Sequence, residues 1–176
     1  MDRSNDLTLT AVPGMPLVNS ECDVVDLILG ALASNNLVLQ AGDVLVVAQK
    51  IVSKSEGRMV RLEEVKPSDQ AIALAQKTTK DPRLIELILS ESTEVLRAVD
   101  ELIIVAHKLG IVLANAGIDA SNVAPPSDVE QVLLLPRDPD RSAQDYHERI
   151  KQRTGVSVGI IINDSVGRAW RLGTTS

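Results

Sequence analysis

Residues 115–122 read Asn115-Ala116-Gly117-Ile118-Asp119-Ala120-Ser121-Asn122 and directly follow an apolar run, residues 111–114, which we interpret as a strand. A strand that leads into a polar, glycine-containing turn holds a carboxylate well at the mouth of a pocket, because a rigid element lies behind exposed side chains. Local chemistry leaves two interpretations of Asp119 open. It is either a pocket carboxylate or a turn residue whose side chain bonds its own backbone.

The apolar pattern on either side of this stretch predicts a chain of the α/β (α+β) class, with mixed sheets of buried strands and flanking helices. Strands are predicted at residues 7–12, 44–48, 102–106, 111–114, 132–135 and 156–162. Residues 107–110 are interpreted as a turn that joins 102–106 and 111–114 into a hairpin, with His107 as a turn residue rather than a ligand. The run 44–48 is continuously apolar, which is typical of a strand buried on both faces. Helices are predicted at residues 22–33, with Asn19 or Ser20 as the cap, from 67–69 through 75, from 81–82 towards 96 with Pro82 at the first helical position, and at 142–152. We interpret residues 1–176 as a single α/β region.

Composition excludes several classes of protein. Hydrophobic residues make up 44% of the 176 residues but aromatic residues only 1%, so the core must be built from Leu, Ile, Val and Ala. The net charge of −6 and the lack of a basic stripe argue against a nucleic-acid binder. Cys22 is the only cysteine, so neither an intrachain disulfide nor a cysteine metal cage can form. No signal peptide or membrane-length apolar run is present, and we expect a soluble, cytoplasmic protein without a membrane partner.

Charged and polar side chains follow two of the predicted strands. Gln49, Lys50 and Lys54 come after residues 44–48, where ligand contacts are usual in α/β sheets. The two lysines are either a solvated charged turn or, on one helical face, a pair that an anion between them would stabilise. Asp164 and Ser165 follow residues 156–162 and are a sharper indication of a site. Two further cations beyond them, which could receive an anionic substrate, are Arg168 and Arg171.

The oxygens of Asp119, Asp164 and Ser165 are hard ligands that suit Mg²⁺ or Mn²⁺, which proteins often hold with one or two carboxylates and substrate phosphates. Together with the nearby cations, they indicate metal-dependent handling of a phosphorylated ligand. No GxxxxGK[ST] motif occurs, which excludes a P-loop nucleotide hydrolase. Asp138 and Asp140 are explained by capping of the helix that follows, without a metal.

Three motifs in chain order carry a resemblance to a known family. They are the stretch at residues 115–122, Ser53-Lys54-Ser55-Glu56-Gly57-Arg58 upstream and Ile162-Asn163-Asp164-Ser165-Val166-Gly167-Arg168 downstream. Together with Leu134-Leu135-Pro136-Arg137-Asp138-Pro139-Asp140, they resemble the coenzyme F-420:L-glutamate ligase (F-420-0 gamma-glutamyl ligase) family over nearly the whole chain.

The resemblance implies a GTP-dependent amide ligase of coenzyme F-420 biosynthesis. Members activate the carboxylate of the deazaflavin coenzyme F-420-0 as an acyl phosphate, which the amine of L-glutamate then attacks. The resemblance also implies a divalent metal, Mg or Mn, an additional monovalent cation, and only small-molecule substrates. The implied architecture is an unusual two-part α/β fold in an intertwined homodimer.

Site residues are carried over by position in the motifs. Those that match metal ligands are Asp119, Asp164 and Ser165, with serine in place of the usual threonine. Those that match nucleotide contacts are Met15, Pro16, Leu17, Val18, Gln49, Lys50, Lys54 and Asn122. Gln49-Lys50 departs from the smaller hydroxyl residues usual in the family. Lys54, Asp119 and Asp164 are the residues that we expect to be catalytic.

Chains of the family continue well past the position of Gly173 with glycine-rich nucleotide contacts and another metal ligand, whereas this sequence ends at Ser176. We therefore expect either a fragment or a shortened protein with an incomplete site. The alternative function is a truncated, non-catalytic metal- or nucleotide-binding dimerisation module. A scaffold domain whose charged turns bind nothing is the third interpretation.

Overall fold

Two strands that are far apart in the sequence form a parallel pair at the centre of one half of the chain. Strand β1 (Val44–Ala48) lies beside β7 (Gly159–Asn163), in register from Val44 opposite Gly159 to Ala48 opposite Asn163. The computed structural model describes residues 6–120, 130–167 and 174–175, and the last segment together with residues 166–167 through the backbone only. Both strands were predicted from their apolar runs, and both predictions are confirmed.

Helices α1 (Val24–Ser34) and α5 (Pro139–Thr154) belong to the same core as this strand pair. The α1 helix begins after Asp23, whose carboxylate accepts the N–H of Asp26 at 3.1 Å, so the prediction of a cap at residues 19 or 20 is wrong. The α5 helix begins after Asp138, one of the two predicted caps, and its first residue lies three positions before the predicted start at Ser142. The apolar core contains no phenylalanine and is built mainly from Val24, Val25, Ile28, Leu32, Val47, Val52, Tyr146, Ile150 and Val158.

The other face of the β1–β7 pair is exposed. Val44, Val46 and Ile161 alternate with the core-facing residues of the two strands, and their side chains are at least 50% exposed. The prediction that Val44–Ala48 is buried on both faces is therefore wrong for this structure. The reason is that the helices of this half pack on one side of the pair only.

A second core lies under an antiparallel sheet of three strands, β3 (Ser92–Val99), β4 (Leu102–His107) and β5 (Val112–Ala114). Helices α3 (Asp69–Thr78) and α4 (Pro82–Ser90) pack against it, and both begin where the sequence predicts a helix start, with Ser68 and Asp81 as their caps. The predicted β4–β5 hairpin is confirmed. The prediction that α4 continues towards residue 96 is wrong, because residues 92–99 pair with β4.

Short elements connect the two halves. Helix α2 (Gln49–Ser55) follows β1 without a loop, and β2 (Met59–Arg61) pairs antiparallel with β6 (Gln131–Leu133). Strand β8 (Val166–Gly167) pairs antiparallel with β9 (Thr174–Thr175). The predicted strand at residues 7–12 is absent, since these residues are described without regular structure.

The element content confirms the predicted mixed α/β class. Within the described ranges, no helix combines the length and apolar character needed to cross a bilayer.

Candidate functional site

The end of the β1–β7 pair places two polar segments beside each other. Because the strands are parallel and Ala48 lies opposite Asn163, the chain leaves both at the same edge. Gln49 and Lys50 begin α2 immediately after β1, and Asp164 follows β7 directly. This edge is the usual ligand position in parallel α/β sheets.

A left-handed turn brings the third segment to the same place. Asn115, Ala116 and Gly117 all have positive φ angles, of 49°, 54° and 64°. Such a conformation costs a non-glycine residue about 1–2 kcal/mol. It persists because Ala116 is fully buried in the second core and the Asn115 side chain accepts the N–H of Ile103 at 3.1 Å. Backbone strain that the surrounding structure maintains in this way is concentrated at functional sites in proteins.

Asp119 lies just beyond this turn, and its backbone is held firmly. Its N–H donates to the carbonyl of Leu133 at 3.0 Å, and its carbonyl accepts the N–H of Leu133 at 2.8 Å. Leu133 belongs to β6 and is fully buried. The position of the Asp119 carboxylate is thus set by the core and is not the result of a mobile turn.

The three segments meet around a cleft of about 470 Å³. The described residues that line it are Gln49, Lys50, Leu113, Ala114, Gly117, Ile118, Asp119, Asp164 and Ser165. Its polar groups are therefore one amide, one ammonium, two carboxylates and one hydroxyl, on a wall of aliphatic side chains. Asp119 and Asp164, which come from distant parts of the sequence, line the same cleft.

An ion pair crosses the cleft between Lys50 and Asp119, whose Nζ and Oδ2 atoms are 2.5 Å apart. The two side chains are 42% and 23% exposed, so water still reaches both charges. Ion pairs of this exposure contribute about 0.2–1 kcal/mol to stability. The contact is therefore short, but breaking it costs little free energy.

Gln49 is held by a buried hydrogen bond within α2. Its Nε2 donates to the Oγ of Ser53 at 2.6 Å, and Gln49 and Ser53 are 5% and 0% exposed. One helical turn separates the two residues, so the bond restrains the amide relative to the helix. Gln49 thus presents a fixed polar group to the cleft wall.

The oxygen ligands of the cleft suit a hard divalent cation. Two carboxylates and a hydroxyl are the donors that Mg²⁺ and Mn²⁺ accept, with the remaining positions left to water or phosphate oxygens. Asp164 is half-buried, and its Oδ1 accepts the N–H of Ser165 at 2.9 Å. In the described part of the chain, no group of three or more His, Cys, Asp or Glu side chains is placed to hold a metal. Asp119, Asp164 and Ser165 are the residues that would hold the ion.

Other predicted site residues lie elsewhere. Lys54 is half-buried one turn after Lys50 and does not line the cleft. Met15 lines a separate apolar cleft of about 460 Å³ beside β1, on the side of Ile51. Pro16, Leu17 and Val18 line neither cleft, and Leu17 is 88% exposed. Three predicted residues fall outside the described ranges: Asn122, Arg168 and Arg171.

Asp138 has the capping role that the sequence predicts. Its Oδ1 accepts the N–H of Arg141 at 2.9 Å at the start of α5. It lies with Glu56, Arg137 and Tyr146 along a different, shallow cleft and does not approach Asp119 or Asp164.

The sequence matches the family model described as F420-0:Gamma-glutamyl ligase over residues 14–176. The chain belongs to this family. Coenzyme F420:L-glutamate ligase of Methanothermobacter thermautotrophicus is 44% identical over 167 residues, covering 95% of this chain and 65% of the relative. The protein of the same name from Methanopyrus kandleri is 45% identical over 82% of this chain and 56% of the relative. That from Archaeoglobus fulgidus is 43% identical over 92% of this chain and 61% of the relative. This member of the family thus spans a little over half to about two-thirds of the length of these relatives.

The sequence of this family member did not indicate the ion pair between Lys50 and Asp119 or the aliphatic wall of the cleft. Lys50 and Asp119 were identified separately, but nothing in either motif indicates that they touch. Leu113 and Ile118 were assigned to a strand and a turn without reference to a pocket. A contact between distant segments leaves no local signal, and only the folded chain shows it.

Proposed function

We propose that this chain is a ligase, or the larger part of one, that joins L-glutamate to coenzyme F-420-0 with GTP and a divalent cation. The observation that carries the proposal is the meeting of Asp119, Asp164 and Ser165 with Lys50 in one cleft of a family member. The names of the relatives, coenzyme F420:L-glutamate ligase, and of the family, F420-0:Gamma-glutamyl ligase, support the reaction class and the two substrates.

The proposed reaction has two steps. The carboxylate of the acceptor attacks the γ-phosphorus of GTP, so that GDP leaves and an acyl phosphate forms. The amine of L-glutamate then attacks the acyl carbon, phosphate leaves, and the nitrogen loses a proton as the amide forms. Steps of this kind depend on positioning and on neutralising the charge of the phosphate oxygens.

Each cleft residue has a role in this proposal. Asp119, Asp164 and Ser165 hold the divalent cation, which when bound neutralises phosphate charge. Gln49 and Lys50 contact the nucleotide from the start of α2, and Lys54 extends the positive charge by one helical turn. The aliphatic wall at Leu113 and Ile118 limits water near the reacting atoms.

The test is an assay with GTP, L-glutamate, coenzyme F-420-0 and Mn²⁺, with product detected by mass spectrometry and GDP measured in parallel. Asp119→Asn and Asp164→Asn should each abolish glutamylated product and weaken Mn²⁺ binding strongly. The control is Asp138→Asn, which removes the same charge at the α5 cap and should retain both. Equal losses in all three variants would refute the assignment of the cleft. Binding of GTP and metal without turnover would support the non-catalytic binding module instead.

The proposal includes the homodimer that the family resemblance implies. Its support in this structure is the exposed apolar face of the β1–β7 pair, formed by Val44, Val46 and Ile161. Parallel strands are usually covered on both faces, so a second layer is expected there. Light scattering after size-exclusion chromatography measures the mass directly, and a monomer at all concentrations would remove the dimer from the proposal.

A further inference from the structure

The cation of Lys50 lies where the proposed metal would have to bind. Its Nζ is 2.5 Å from Oδ2 of Asp119, which is one of the two carboxylates of the cleft. An ammonium group and a divalent cation in contact with the same carboxylate repel each other, so the lysine opposes binding of the ion there. The presence of Lys50 therefore changes what Asp119 can do.

We propose that Lys50 is a tethered competitor for the metal site. In the metal-free protein its ammonium group neutralises Asp119, and a divalent cation that binds through Oδ2 must first displace it. This inference rests on the proposed metal role of Asp119 and adds to it a residue that sets the affinity of the site.

The geometry indicates that the Lys50 ammonium group can leave Asp119 at a small free-energy cost. The Lys50 side chain is 42% exposed and has a flexible four-carbon stem, so its head group can move into water while the helix stays in place. The backbone of Asp119 is held by two hydrogen bonds to Leu133, so the carboxylate remains where the ion would meet it. The displaced ammonium group stays tethered to the first turn of α2, beside the cleft.

The choice of carboxylate is specific. Among the described ion pairs, Lys50 is paired with Asp119, and none involves Asp164. Asp164 instead has its Oδ1 occupied by the N–H of Ser165. Among the described residues, the site therefore offers one carboxylate that is paired with a cation and one that is not, and the proposed competition concerns the first.

The test is titration of the 176-residue chain with Mn²⁺ alone, with free Mn²⁺ measured by electron paramagnetic resonance. Lys50→Met retains the unbranched stem and removes the charge, and Lys50→Gln is a second neutral variant. Both should bind Mn²⁺ more tightly than the unmodified chain, by up to about fivefold, which is the factor that corresponds to an ion pair of about 1 kcal/mol at the upper end of the usual range. Melting curves without metal verify that the variants are folded.

Two controls separate this competition from a change in overall charge. Lys50→Arg keeps the cation and should leave the affinity unchanged. Lys108→Met removes one positive charge from an exposed residue of the β4–β5 turn, outside the cleft, and should also leave it unchanged. A fivefold gain in Lys108→Met would show that net charge is responsible and would overturn the inference.

Failure of the inference differs from failure of the proposed function. If the two neutral Lys50 variants bind Mn²⁺ no more tightly than the unmodified chain while Asp119→Asn abolishes binding, the metal site stands and the competition is refuted. If Asp119→Asn binds Mn²⁺ as well as the unmodified chain, Asp119 is not a ligand. In that case both the metal role and the inference are overturned.

Discussion

Gly117→Ala should destabilise the protein strongly, because it changes the left-handed turn that positions Asp119. Gly117 has a φ of +64°, which an alanine adopts only at a cost of about 1–2 kcal/mol. A Cβ atom there would also lie 2.7 Å from Cδ1 of Leu113 and 2.9 Å from Cδ1 of Leu135. Both leucines are at most 5% exposed, so neither can move without disturbing the core.

The structure allows the conformational cost of the positive φ to be separated from the steric cost at the two leucines. Forcing an extra methyl group into a packed core typically costs about 1–3 kcal/mol, so the total for Gly117→Ala is about 2–5 kcal/mol. Gly110 has a similar φ of +78°, but a Cβ atom built there meets nothing within 4 Å. Gly110→Ala should therefore cost only the conformational part, about 1–2 kcal/mol.

Urea denaturation of both variants, followed by circular dichroism, measures the free energies of unfolding. The expected difference between Gly117→Ala and Gly110→Ala is the steric cost at the two leucines. Mn²⁺ binding should weaken in Gly117→Ala, because Asp119 is two residues further on, and should not change in Gly110→Ala. Equal destabilisation by the two substitutions would refute the reasoning, since it would mean that the leucines yield without cost.

The remaining predictions concern the α5 cap, the buried bond within α2, and His107. Asp138→Ala should lower the free energy of unfolding by about 1 kcal/mol in urea denaturation, because the N–H of Arg141 loses its acceptor; an unchanged value would contradict the cap. Ser53→Ala should cost about 1–3 kcal/mol by the same measurement, because it leaves the buried Nε2 of Gln49 without its partner. Stability equal to that of the unmodified chain would mean that a water molecule replaces Ser53 as the acceptor for Nε2 of Gln49. Burial lowers the pKa of His107 below its usual 6.5, so the unfolded chain binds more protons and stability should fall as the pH drops below 6.5 towards the folded pKa. His107→Gln should reduce this slope between pH 7.5 and pH 5, and an unchanged slope would exclude His107 as its source.

The surroundings of His107 show why this titration is expected. The side chain is 3% exposed at the end of β4, where the sequence suggested a turn residue rather than a ligand. Its Nδ1 accepts the N–H of Leu109 at 3.0 Å, and its Nε2 has no hydrogen-bond partner among the described residues. Glu91 lies 3.8 Å away and favours the charged form, but it is already paired with Arg58, and desolvation outweighs it.

Helix starts were predictable because their signals are local. Ser68 and Asp81 each accept a backbone N–H two or three residues ahead, and Pro82 suits the first position of a helix. These interactions need no partner from elsewhere in the chain. The same holds for the β4–β5 hairpin, whose strands are separated only by a short turn at Gly110.

Predictions failed where a distant partner decided the outcome. The pattern at residues 91–96 suited continuation of α4, but pairing with β4 makes residues 92–99 a strand. Residues 7–12 alternate as a strand does, yet they have no regular structure in the described chain, and a strand needs a neighbour to pair with. Val44–Ala48 was correctly predicted as a strand, but its burial depended on which layers cover it.

The sequence by itself determined the type of most elements, the starts of α3 and α4, and the family, because periodicity, helix-start signals and motifs are properties of neighbouring residues. It also identified Lys50, Asp119, Asp164 and Ser165 as candidates, since polar residues after apolar strands are visible in the chain. Only the tertiary structure decided that these residues line one cleft and that Lys50 meets Asp119. The physical reason is that this contact depends on the β1–β7 register and on the buried left-handed turn, which form only when distant segments pack together.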